Sequence, residues 1–159
     1  MPLSADLFER LLAVGAVVLL IPAGAAIMRG RAEWSQVQPA VWAHLLTVLA
    51  ALVLTPFILL RRRGDGRHRT LGRLWVVAML AAAITSLFVR DQAGVWRLSP
   101  IHALSALVLI QVPLIWWAGR TGRVVLHRHC VRGVVLGALL ITGFFTFPFN
   151  RLLGRWLIP

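Results

Sequence analysis

The stretch PAVWAHLLTVLAALVLTPFILL, residues 39–60, decides the fold. It holds no acid and no arginine, and His44 is its one titratable side chain. A helix rising about 1.5 Å per residue needs roughly 20 such residues to cross the hydrocarbon core of a bilayer. Four further apolar stretches, near 11–28, 70–89, 100–119 and 130–149, approach the same length, and together the five use most of the chain. Hydrophobic residues make up 59% of the 159 and charged ones 14%, more apolar surface than a water-soluble domain of this size could bury in one core. The expectation is an all-α integral membrane protein of five transmembrane helices, one membrane domain over residues 1–159, and not a soluble enzyme.

A formal charge of +12 would suit a nucleic-acid partner, but all seventeen basic residues are arginines, set mostly in short segments between the apolar stretches. They read as topology signals, with the lipid bilayer and not nucleic acid as the partner. Placing Arg10 and the segments 61–73 and 120–132 on one side gives that side eleven arginines against six. Cytoplasmic loops carry the excess. The predicted orientation in a bacterial inner membrane is therefore N-terminus cytoplasmic and C-terminus periplasmic. Asp6 and Glu9 precede the first apolar run, where a secretory signal would be basic, so the first stretch is expected to persist as helix 1, about residues 7–28.

Arg29-Gly30-Arg31, Arg63-Gly64-Asp65-Gly66, Asp91-Gln92-Ala93-Gly94 and Gly119-Arg120-Thr121-Gly122 mark the breaks. Ser99-Pro100 offers an N-cap and a first-turn proline for helix 4. Pro22, Pro56 and Pro113 fall inside apolar stretches, where a membrane helix bends without ending. Trp34, Trp42, Trp96 and Trp156 fall near the predicted outer boundary, and Trp75, Trp116 and Trp117 near the inner one, as aromatic belts require.

Histidine spacing adds a further layer. His44 opens helix 2, His68 precedes helix 3, His102 opens helix 4 and His127 precedes helix 5. The matching intervals suggest a duplicated helical hairpin, about 39–90 and about 99–150, forming a four-helix core with helix 1 outside the repeat. Repeat interfaces in membrane proteins commonly hold the functional site. His44 and His102 would pair near the outer face, His68 and His127 near the inner one, and two imidazoles from facing helices can ligate a haem iron. The stripes His44–Thr47–Ala51–Thr55 and His68–Gly72–Met79–Ala83–Ser86–Arg90 carry small and polar residues suited to a packed interior. Arg90 at the outer end, and Arg73 and Arg132 at the inner end, are the candidate partners of haem propionates. The plainer account is that histidines at a membrane boundary bond to headgroups, water or carbonyls. It fits His68 and His127, each followed by arginine, better than His44 and His102.

The pattern His68-Arg69-x-x-Gly72-Arg73-x-Trp75-Val76, then Ile101-His102-x-x-Ser105, His127-Arg128 and Gly143-Phe144-Phe145-Thr146-x-Pro148, resembles the bacterial membrane family known as domain of unknown function 2306 over roughly residues 40–155. The chain has Trp75 where that pattern has Tyr, and Phe149-Asn150-Arg151 where it has Pro-Gly-Arg. The resemblance implies the architecture and no reaction. The histidine layout also looks like that of two-haem transmembrane cytochromes b, a likeness of layout alone.

No acid lies in the five apolar stretches, which argues against a proton- or cation-coupled carrier. Hydrolase and nucleotide-binding motifs are absent. One cysteine, Cys130, excludes an internal disulfide and any multi-cysteine cluster. Gly133-x-x-x-Gly137 allows another helix to approach closely, within the bundle or from a partner subunit. Two functions fit: an accessory or structural subunit of a larger bioenergetic membrane complex, non-catalytic by itself, which leads, and a b-type haem electron-transfer module with bis-histidine ligation.

Overall fold

The structure, a computed structural model, describes residues 4–89, 100–148 and 150–158. It is all-α. Helix α1 spans Leu7–Arg29, α2 Pro39–Leu60, α3 Gly66–Ser86 and α4 Pro100–Arg120. Helix α5 runs over Val124–Phe144 and a short α6 over Leu152–Leu157. Four of these, α1 with its extension to Gln36, α2, α4 and α5, are long and apolar enough to cross a membrane. Helix α3 is long enough, but Arg67, Arg69 and Arg73 crowd its first half, so the expected count of five is met on length and not on composition.

Local chemistry explains the ends. Asp6 accepts a hydrogen bond from the Glu9 backbone N–H while the Glu9 carboxylate accepts from the Asp6 N–H, a reciprocal capping box that starts α1. Pro39 at the first turn starts α2, where its missing N–H costs nothing. Asp65 caps α3 by accepting from His68 N–H at 2.6 Å. Ser99, read as the cap of α4, lies outside the described residues, as do Arg90, Trp96 and Arg97. Helices α1, α2 and α4 run through Pro22, Pro56 and Pro113.

Helices α3 and α5 begin earlier than their apolar stretches suggested. His68 and His127, expected to precede them, lie within their first turns. Arginine and histidine keep their polar ends at the boundary while their stems extend the helix, so hydropathy alone starts such helices late. Two further segments escaped the sequence reading: a 3-10 helix over Gly30–Gln36, and a π-helical stretch over Val135–Ile141 inside α5. Thr142 Oγ1 donates to Gly137 O at 2.8 Å in the latter. Helix α3 has no such stretch, so the two hairpins are not simple copies of one another.

The helices pack in a ring, α1 on α2, α2 on α3, α3 on α4 and α4 on α5, with α1 closing it against the π-helical part of α5 and against α6. Leu12, Ala13, Ala16, Ala51, Leu52, Met79, Ala83, Val112, Val135 and Leu139 form the shared core. Small residues on α1, α2 and α3 permit this close approach, which dispersion stabilises where lipid offers no hydrophobic gain. Trp75, expected at the inner belt, is instead buried in that core, its Nε1 donating to Thr55 Oγ1 at 3.1 Å. Thr55 in turn donates to Ala51 O at 2.7 Å, so the polar end of the indole is satisfied. Trp116 and Trp117 remain exposed.

The two ends differ chemically. At one, Trp34 and Trp42 meet edge to face with centroids 5.5 Å apart and Trp42 packs on Trp156 at 6.2 Å. Trp156 Nε1 donates to Glu33 at 3.0 Å, and Arg29 donates to Leu157 O at 2.5 Å, tying α6 to the end of α1. Asn150 holds the turn before α6 at φ 57°. Asparagine is among the few residues besides glycine that adopt this conformation readily, so the turn forms here without a glycine. The opposite end gathers the arginines.

Candidate functional site

At the arginine end, Glu9 on α1 is 2% exposed and is the hub of an ion cluster. Arg128 Nε donates to it at 2.6 Å and Arg132 at 3.1 Å, both from α5, while Arg63 reaches it from the α2–α3 turn. Asp6 accepts from Arg128 at 2.7 Å and also pairs with Arg132. The backbone N–H of Glu9 holds the Asp6 carboxyl below its ordinary range, helped by the arginines against partial desolvation. The N-terminus, the 61–65 turn and the start of α5 therefore share one end, the grouping the arginine count required. The sequence reading took Asp6 and Glu9 only as arguments against a signal peptide. Three arginines matched by two acids at one end was the available signal.

The cluster also defines what Arg132 does. Its guanidinium is engaged by two carboxylates, and Arg73 is exposed on the outer side of α3, so neither is offered to a group between the helices. Arg90 lies outside the described residues.

The histidines occupy defined positions within the ring. His44 Nδ1 lies 2.9 Å from Ala82 O, joining α2 to α3. His127 Nδ1 lies 2.9 Å from Ile115 O, joining α5 to α4. Since a carbonyl only accepts, both rings carry their proton on Nδ1 and leave Nε2 as the basic nitrogen. The Nδ1 of His68 is buried with no hydrogen-bond partner among the described residues. His68 and His127 lie near enough for their charges to interact. His102, half-buried on α4, sits one turn before Ser105, whose Oγ lies 2.6 Å from Ser86 Oγ on α3. Ser86 is one turn from Ala82, so the His44 anchor and the Ser86–Ser105 contact lie at the same end of α3. His129, exposed, bonds back to Val125 O at 2.8 Å.

A haem-ligating histidine coordinates through one ring nitrogen while the other N–H donates to a carbonyl or carboxylate that fixes its tautomer. His44 and His127 have this form, and the buried bare nitrogen of His68 is compatible with it. Among the described residues no group of three or more His, Cys, Asp or Glu side chains is placed to hold a metal ion. Gly133 and Gly137 face open space: a Cβ at either would meet nothing within 4 Å. Their side of α5 is therefore not used for packing within the chain.

No curated protein and no solved structure matches the chain. A family model described as a predicted membrane protein of unknown function matches residues 41–154, which takes in nearly all of α2, α3 to α5 and half of α6, and leaves α1 outside. This chain is a multi-pass helical membrane protein that belongs to the DUF2306 family.

Proposed function

We propose that the chain is a b-type haem module that passes electrons across the membrane, with His44 and His102 as ligands near the tryptophan end and His68 and His127 near the arginine end. The observation that carries this reading is the anchoring of His44 and His127 Nδ1 on the Ala82 and Ile115 carbonyls. Those bonds cost nothing if the rings are plain staples, but they also leave Nε2 as the nitrogen that a ligand uses. Bound haem would supply one-electron redox chemistry. The chain's own part is to fix four imidazoles, exclude water with the core of Trp75, Met79 and Val112, and hold the two levels apart along the bundle. In this reading α3 is the fifth membrane helix, its arginines confined to the boundary half. The two hairpins are related by duplication, a reading that the matching histidine intervals support. The arginine end is cytoplasmic in a bacterial inner membrane.

The test is a reduced-minus-oxidised visible spectrum of protein produced with ample haem. A b-type α-band is expected, halved in His44→Ala and in His127→Ala. Protein that folds and shows no band overturns the reading.

A second reading, an accessory or structural subunit of a larger bioenergetic complex, is favoured by one separate observation, the open Gly133/Gly137 face of α5. Co-purification of a defined complex that Gly133→Leu disrupts supports it. A protein that always runs alone does not.

A further inference from the structure

Seven of the arginines lie between Arg61 and Arg73 or at the start of α5 without entering the Glu9 cluster, and two of these differ from the rest in what lies beneath them. Arg123 stacks over the Trp117 ring at 4.3 Å from its centroid, and Arg120 over Trp116 at 5.6 Å. Among the described residues no carboxylate pairs with either, whereas Arg61, Arg63, Arg128 and Arg132 all meet acids. Beside Arg123 lies an open cavity of about 540 Å³ lined by Gly122, Arg123, Val124, Val125, Leu126 and His129. Its walls are mostly apolar, and Val124 and Val125 are 48% and 49% exposed.

We propose that this α4–α5 turn is a binding site for an anionic phospholipid. The turn lies at the bundle's arginine end, where the chain enters the interface. Two guanidiniums held over indole rings by cation–π attraction are positioned without being neutralised. They can donate in pairs to phosphate oxygens. The exposed valines and the apolar cavity below them take the glycerol backbone and the first acyl carbons, and the exposed indoles sit at headgroup depth as interfacial tryptophans do. A soluble anion would use the guanidiniums and leave the apolar wall uncovered. A neutral lipid would use the wall and leave two cations unmatched. Only an acidic lipid satisfies both, and this holds whether or not the chain binds haem.

The experiment is native mass spectrometry of the purified full chain in detergent, titrated with phosphatidylglycerol, with phosphatidylcholine of the same acyl chains, and with inorganic phosphate. Preferential retention of phosphatidylglycerol is expected, weakened on the order of tenfold in the R120Q/R123Q double variant and reduced in V125S. R62Q/R67Q, which removes the same charge from two other exposed arginines, keeps wild-type retention. The charged positions are exposed, and matching melting temperatures verify that the variants fold. Equal retention of both lipids, equal loss in R62Q/R67Q, or displacement of the lipid by inorganic phosphate each overturns the proposal.

Discussion

Replacing Glu9 with glutamine keeps the size of the side chain and removes its charge from the centre of the arginine-end cluster. Glu9 is 3% exposed as a side chain, and Arg63, Arg128 and Arg132 are 18%, 16% and 21% exposed, so these charges are poorly solvated. Removing one partner of a buried ion pair costs about 3–5 kcal/mol, because the other is left uncompensated. Here Asp6 remains to accept from Arg128 and Arg132, which places the expected loss at about 2–3 kcal/mol by the same rule. For a chain of this size that is a fall of roughly 5–10 °C in melting temperature. The assay is thermal unfolding in detergent of E9Q, R63Q and the double variant, with Arg62→Gln as an exposed control. The double variant should lose less than the sum of the singles, since Glu9 and Arg63 share one interaction. An E9Q protein that melts within about 1 °C of the control would refute the reasoning, and would mean that α1 is held by its apolar face alone.

Asp65 caps α3, and the His68 backbone N–H, with Arg61 beside it, keeps its carboxyl below the ordinary value of 3.8 against the opposing effect of desolvation. A depressed folded-state value stabilises above the unfolded one and is lost as pH falls through the folded one, so Asp65→Asn should lower the melting temperature at pH 7 and converge with wild type well below pH 3.8. A difference that persists unchanged in strong acid contradicts the assignment. Gly154→Ala places a Cβ 1.7 Å from Phe147 O and 2.8 Å from Phe147 C, both backbone atoms that cannot step aside cheaply. Helix α6 should then leave its seat on Ala26 and Trp42, shifting tryptophan emission to longer wavelength in wild type but not in a Trp156→Phe background. Unshifted emission shows that the turn accommodates the methyl.

The sequence by itself determined the membrane class, the helix order and the grouping of ends. Residues 39–60 coincide with α2, and the arginine excess placed the N-terminus with the 61–73 and 120–132 segments, because charge and apolar length act locally and need no partner to be read. The interior stripe through Thr47, Ala51 and Thr55 was legible for the same reason. Tertiary structure decided the rest. That Trp75 turns inward to Thr55, that Glu9 gathers three arginines from two other elements, and that Arg132 is engaged by acids and Arg73 faces outward are outcomes of how five helices close a ring. So is the anchoring of His44 and His127 on carbonyls of neighbouring helices. The carbonyl that a histidine meets is chosen by helix packing and rotation, which no spacing along one chain contains. The π-helical stretch in α5 is another such result, since Val135–Ile141 has the composition of an ordinary apolar helix and departs from it where the segment packs against α1 and α2.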